Sequence, residues 1–105
     1  MLTIYHYPNC STCKKAIAFL KERGTPFKAI DLVATPPAAA ILSDLHQRSG
    51  LTLNKLFNTS GASYHAGKFG DKLPTMSEAQ AVAALAADGK LIKRPIIDTG
   101  KEVIV

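Results

Sequence analysis

The sequence predicts a single α/β domain: strand, helix and strand, then a mainly helical middle, then a β-hairpin. Three observations carry that reading. Short β-rich stretches sit near both ends, at Ile4-Tyr5 and at Val103-Ile104-Val105. A stretch of helical periodicity follows the first of them directly, and the centre is broken into helical blocks by Pro36-Pro37, Gly50 and Gly61. A chain of 105 residues with 47% hydrophobic content is of a size to fold around one core, so one domain spanning 1–105 is expected.

In chain order, residues 2–7 mix apolar and polar side chains around Ile4 and Tyr5, which suits a short strand ending at Pro8. From 13 to 23 the apolar residues Ala16, Ile17, Phe19 and Leu20 recur at helical spacing, with Ser11 or Thr12 able to cap the start and Gly24 able to end it. Residues 27–33 read as a second strand, and Thr35 before Pro36-Pro37 is held extended. A helical insertion is then expected over about 36–89. Ile41, Leu42 and Leu45 share one side of its first block, which Gly50 stops, and residues 51–57 make a shorter apolar piece.

Asn58-Thr59-Ser60-Gly61 reads as a turn. Thr75 and Glu78 have the spacing of a capping box ahead of a helix through Ala79, Val82, Ala83 and Ala86, closed by Asp88-Gly89. Ile96-Ile97, Asp98-Thr99-Gly100 and Val103-Ile104-Val105 have the composition of a hairpin, whose last strand leaves an edge or face to be covered.

Composition narrows the function. No apolar run approaches the roughly 20 residues that cross a bilayer, and the first residues lack the basic and apolar regions of a secretory signal, so a cytoplasmic protein with no membrane partner is expected. The net charge of +5 favours anionic partners. Its basic residues are dispersed without interleaved aromatics, so direct nucleic-acid contact is not expected.

Cys10 and Cys13 carry the chemistry. In a reducing compartment a Cys-x-x-Cys pair points to redox catalysis or metal binding, and so short a loop constrains little chain entropy as a structural staple. A thiol is a nucleophile only as thiolate, and free N–H groups at a helix start stabilise that anion. Cys10 is therefore expected to attack. Cys13, about one helical turn on, can reach it and displace whatever it has bound. Ser11, Thr12 and Lys14 supply polar or positive surroundings. Two structural half-buried cysteines are the alternative. A zinc site would need two histidines in place of a second cysteine pair, and no metal is expected.

His6 stands four residues before Cys10, where it either tunes the proton affinity of the thiol or caps the strand. His46 and His65 read as surface polar residues. Arg94-Pro95 is either a turn before an edge strand or, with a cis bond, a means of bringing flanking groups to a site. A guanidinium beside a helix start suits a tetrahedral oxyanion or a carboxylate.

The stretches Ile4-Tyr5-His6-Tyr7-Pro8-Asn9-Cys10, Pro36-Pro37, Leu56-Phe57-Asn58-Thr59-Ser60-Gly61 and Leu91-Ile92-Lys93-Arg94-Pro95-Ile96 together resemble the ArsC/Spx family of glutaredoxin-like proteins, over almost the whole chain. The resemblance implies a thioredoxin-like fold with a helical insertion. It matches Cys10 to the catalytic cysteine and Arg94, followed by Pro95, to an anion-binding arginine. It also places Asn58 where arsenate reductases of the family carry a further arginine.

The function implied is an arsenate reductase-like thiol-disulfide oxidoreductase, acting on a small oxyanion or a disulfide. No bound cofactor is implied; glutathione, glutaredoxin or thioredoxin would serve as reductant. The Spx-like branch offers a second reading, in which the Cys10–Cys13 pair is a redox switch in a regulator that binds the RNA polymerase α subunit.

Overall fold

The computed structural model describes residues 2–105. Strand β1 (Leu2–His6) leads into helix α1 (Ser11–Glu22) and strand β2 (Phe27–Asp31). The helical part follows as α2 (Ala39–Ser49), a 3₁₀ turn at Leu53–Leu56, α3 (Ala62–Ala66), α4 (Phe69–Lys72), a 3₁₀ turn at Leu73–Thr75, α5 (Glu78–Ala87) and a last 3₁₀ turn at Gly89–Leu91. Strands β3 (Ile96–Asp98) and β4 (Val103–Ile104) close the chain.

The four strands form one mixed sheet in the order β2-β1-β3-β4. β1 runs parallel to β2, with Ile4 opposite Ala29, and antiparallel to β3, with Ile4 opposite Ile97. Because side chains alternate across a strand, this register gives the sheet two different faces. Tyr5, Ile30, Ile96 and Val103 belong to the main core with Leu42 and Leu45 of α2 and Ala81, Val82 and Leu85 of α5. Ile4 points the other way and is fully buried, as are Cys13 and nearly so Leu20 of α1, so α1 covers that second face. Cover is thinner toward the β4 edge, where Ile104 remains 53% exposed.

Two devices fix the helical part on the sheet. Arg48 of α2 forms a two-pronged bond to Asp98 of β3 at 2.8 Å on each arm, and also bonds Asp44, so its guanidinium is occupied. Gly89 lies so close to the chain leaving β2 that an added Cβ would collide with the Leu32 carbonyl oxygen. Only glycine admits that approach.

Local details differ from the sequence reading in instructive ways. The cap of α1 is Cys10 itself, whose Sγ accepts the Cys13 N–H, rather than Ser11 or Thr12, which lie inside the first turn. The capping box of α5 is Ser77 with Gln80 rather than Thr75 with Glu78; the Thr75 hydroxyl instead donates to the Lys72 carbonyl and closes the preceding turn. Residues 62–75, left without elements by the sequence pattern, hold two helices of five and four residues and a 3₁₀ turn. Gly50, with φ of 70°, ends α2 as expected.

Candidate active site

Three segments meet at the start of α1. The first is the turn from β1 into the helix, closed by the Cys10 N–H donating to the Tyr7 carbonyl at 2.9 Å. Cys10 adopts an extended backbone, φ −89° and ψ 120°, and its sulfur receives the Cys13 N–H at 3.4 Å. A sulfur acceptor in the N-cap position meets a helix-start donor that is otherwise left unpaired. Cys10 is half-buried and Cys13 is fully buried; both are free thiols.

The second segment carries Arg94. Its path is set by the helical part: the Asn58 N–H donates to Leu91 O at 2.7 Å, the Lys93 N–H donates to Leu56 O at 2.7 Å, and Phe57 bridges Ile92 between them. Fully buried Phe57 and Ile92 anchor this short ladder in the core. Arg94 follows at once, joined to Pro95 by a cis peptide bond. Its guanidinium lies over the Tyr7 ring at 4.8 Å, gives one N–H to Lys90 O at 3.3 Å, and favours the ionised form of the Cys10 thiol. Its Nε is buried without a hydrogen-bond partner among the described residues.

The third is the end of β1. His6 sits opposite Asp31 of β2, its carbonyl accepts the Leu32 N–H at 2.8 Å, and its Nδ1 is buried without a hydrogen-bond partner among the described residues. The Asp31 carboxyl is held low chiefly by the Ala34 N–H, then by the Val33 N–H and by His6.

These surroundings drive the two thiols apart. Partial burial works against ionising Cys10, but hydrogen bonds from the Cys13 N–H, the Cys13 thiol, the Arg94 guanidinium and the Thr12 N–H outweigh it and bring Cys10 below the ordinary thiol value. Burial pushes Cys13 up to about 11, with its bond to the Cys10 sulfur adding to the rise and a main-chain hydrogen bond from Tyr7 opposing it. Of the two thiols, Cys10 is thus the easier to ionise.

Other residues marked in the sequence take supporting places. Ser11, Thr12 and Lys14 are exposed in the first turn of α1; Thr12 contributes its N–H to Cys10, and Lys14 donates its own N–H to the Cys10 carbonyl at 3.0 Å as an ordinary helical bond. The main chain of Asn58 bonds Leu91 and Gly61, so the residue fixes the segment that leads to Arg94. Among the described residues no group of three or more His, Cys, Asp or Glu could hold a metal ion. A cavity of about 590 Å³ lies elsewhere, between His46, Leu53, Tyr64, Met76 and Glu78.

A family model for the ArsC family matches residues 5–105. The chain belongs to the ArsC family. It is similar to the uncharacterized protein YusI of Bacillus subtilis, at 44% identity over 99% of this chain and 88% of that protein. It is also similar to the global transcriptional regulator Spx 2 of Lactococcus lactis, at 29% identity over 100% of this chain and 78% of that protein. The crystal structure of a possible arsenate reductase from Streptococcus mutans superposes with a TM-score of 0.93 at 45% identity, over 100% of this chain and 88% of that one. The thioredoxin-like fold expected from the sequence is therefore the fold of the protein.

One site residue escaped the sequence reading. Tyr7 was visible as the end of the first strand and as part of the stretch that carries the resemblance, with no role of its own, although an aromatic three residues before Cys10 lies across the turn from it. No local pattern announces that its ring will meet an arginine from the far end of the chain.

Proposed function

We propose that this protein is a thiol-disulfide oxidoreductase of the arsenate reductase type, in which Cys10 attacks and Cys13 resolves. The observation that carries the reading is the opposed environment of the two sulfurs, with Arg94 beside the one that ionises. The Cys10 thiolate bonds to the electrophilic centre of a small oxyanion, one of whose oxygens leaves as water, or to one sulfur of a disulfide, whose other sulfur leaves as thiolate. Arg94 balances the charge of the oxyanion or of the leaving thiolate.

Cys13 then gives up its proton and attacks the Cys10 sulfur. A Cys10–Cys13 disulfide forms, and the two electrons leave with the released group, as arsenite where arsenate was bound or as thiol where a disulfide was bound. An external dithiol such as thioredoxin or glutaredoxin, or glutathione, restores the pair. Arg48 is committed to Asp44 and Asp98, and Asn58 offers no charge, so Arg94 alone among these faces the sulfur. This favours substrates of lower charge than arsenate.

The test is titration of Cys10 by alkylation, with and without arsenate or sulfate, alongside turnover of arsenate and of a model disulfide with each reductant. Faster alkylation of Cys10 than Cys13, slowed by the oxyanion, together with turnover of either substrate, is the expected result. Equal reactivity of the two thiols and no turnover would refute it.

A further inference from the structure

We infer that Tyr7 is a positioning residue for the thiol chemistry, its ring face holding the Arg94 guanidinium against the Cys10 sulfur. The inference rests on the proposed role of Cys10 as attacking thiol. The guanidinium has few other restraints. No acidic side chain pairs with Arg94 among the described residues, Nε has no hydrogen-bond partner there, and the bond to Lys90 O is long at 3.3 Å. A planar cation so lightly tethered takes its orientation from the surface it lies on, and that surface is the Tyr7 ring at 4.8 Å from its central carbon.

The ring is itself held at both ends. Its backbone belongs to the turn that presents the nucleophile, since Tyr7 O accepts the Cys10 N–H at 2.9 Å. Its hydroxyl accepts the Asn9 Nδ2–H at 3.3 Å. One residue therefore touches both the attacking cysteine, through its main chain, and the cation, through its ring. A change in the Tyr7 ring shifts the guanidinium relative to the sulfur while leaving the helix and both cysteines where they are. The aromatic face is the working part, and the hydroxyl only steadies it.

The experiment compares alkylation of Cys10 by iodoacetate, an anion, and iodoacetamide, its neutral counterpart, across pH in the full chain, with mass spectrometry to locate the label. The ratio of the two rates reads the cation beside the sulfur, and the iodoacetamide profile reads the thiolate. Tyr7→Leu is expected to lower the ratio about tenfold and move the profile to higher pH, as Arg94→Met does, while Tyr7→Phe stays within about twofold of wild type. In the Arg94→Met background, Tyr7→Leu is expected to change nothing further.

An unchanged ratio in Tyr7→Leu, an equal loss in Tyr7→Phe, or a further loss in the Arg94→Met background would overturn the inference. If Tyr7→Leu does not fold, Tyr7→Trp decides: it keeps an aromatic face, so a maintained or raised ratio supports the inference and a tenfold fall overturns it. Wild-type protein labelled at Cys13 as fast as at Cys10 would instead break the underlying assignment of the attacking thiol, which no Tyr7 variant addresses.

Discussion

The two segments that meet at the Cys10 sulfur are built by opposite means. Residues 7–13 close on themselves: the Cys10 N–H reaches Tyr7 O, the Cys13 N–H reaches the Cys10 sulfur, and α1 begins there without help from elsewhere. Within residues 89–95, Arg94 is tied only by its long bond to Lys90 O at 3.3 Å. These residues are seated by Gly89 against the Leu32 carbonyl and by the ladder to Leu56 and Asn58, both supplied by distant parts of the chain. Cys10 is thus held by local bonds, whereas the cation depends on the packing of the helical part. Damage to the core should therefore remove the cation before it removes the thiolate donors.

The largest expected effect tests the local segment. Cys10→Ser should abolish turnover, by more than about 10³-fold, because the other thiol, Cys13, is fully buried and the hydroxyls at the helix start are far weaker nucleophiles than a thiolate. Serine is a good N-cap, so unfolding midpoints should stay close to wild type. A variant that keeps activity would mean that the chemistry lies elsewhere.

Gly89→Ala probes the distant segment. Its Cβ would need to displace the Leu32 carbonyl, and we expect destabilisation of about 3 kcal/mol in urea titrations. The surviving folded protein should lose the preference of Cys10 for iodoacetate while keeping its reactivity to iodoacetamide within a few fold. Loss of both together would show that the two segments are not separable.

A smaller effect is expected from pH. Cys13, raised from 9.0 to about 11, stabilises the fold in its protonated form, a contribution present below the unfolded value and lost as pH climbs from about 9 through about 11. Cys10, lowered, contributes in the opposite sense: its share is present above the unfolded thiol value and is lost as pH falls through the folded one. Denaturation series at pH 8 and pH 10.5 should show a fall in wild type that Cys13→Ala reduces. An identical fall in both proteins would contradict the burial argument.

The smallest effect marks a place remote from both segments. Ser77→Ala should cost about 1 kcal/mol through the lost cap of α5 and leave Cys10 alkylation unchanged. A change in Cys10 reactivity would mean that the helical part transmits strain to Arg94 more widely than its ladder suggests.

Much of the frame was legible where periodicity is strong. The first strand, the helix through Ile17 and Leu20, the α2 stop at Gly50 and the final hairpin follow from spacing and turn residues. Residues 62–75 were not legible, because helices of four and five residues broken by Gly67, Gly70 and Pro74 are too short to show a period. The α5 start offered two overlapping pairs at capping-box spacing, Thr75 with Glu78 and Ser77 with Gln80. The choice fell to the turn that consumes the Thr75 hydroxyl at Lys72 O. At the site, the cysteine spacing was plain, while Tyr7 was missed because its function depends on a contact and not on a pattern.

The sequence by itself determined that two thiols stand one helical turn apart at a helix start, because those bonds join residues three apart and need nothing else. Only the tertiary structure decided which sulfur is buried and which cation faces the other. Burial of Cys13 comes from laying α1 on the sheet, and the approach of Arg94 comes from a ladder joining Leu56–Asn58 to Leu91–Lys93. Both rest on contacts between segments far apart in the chain, whose geometry is set by how the core packs.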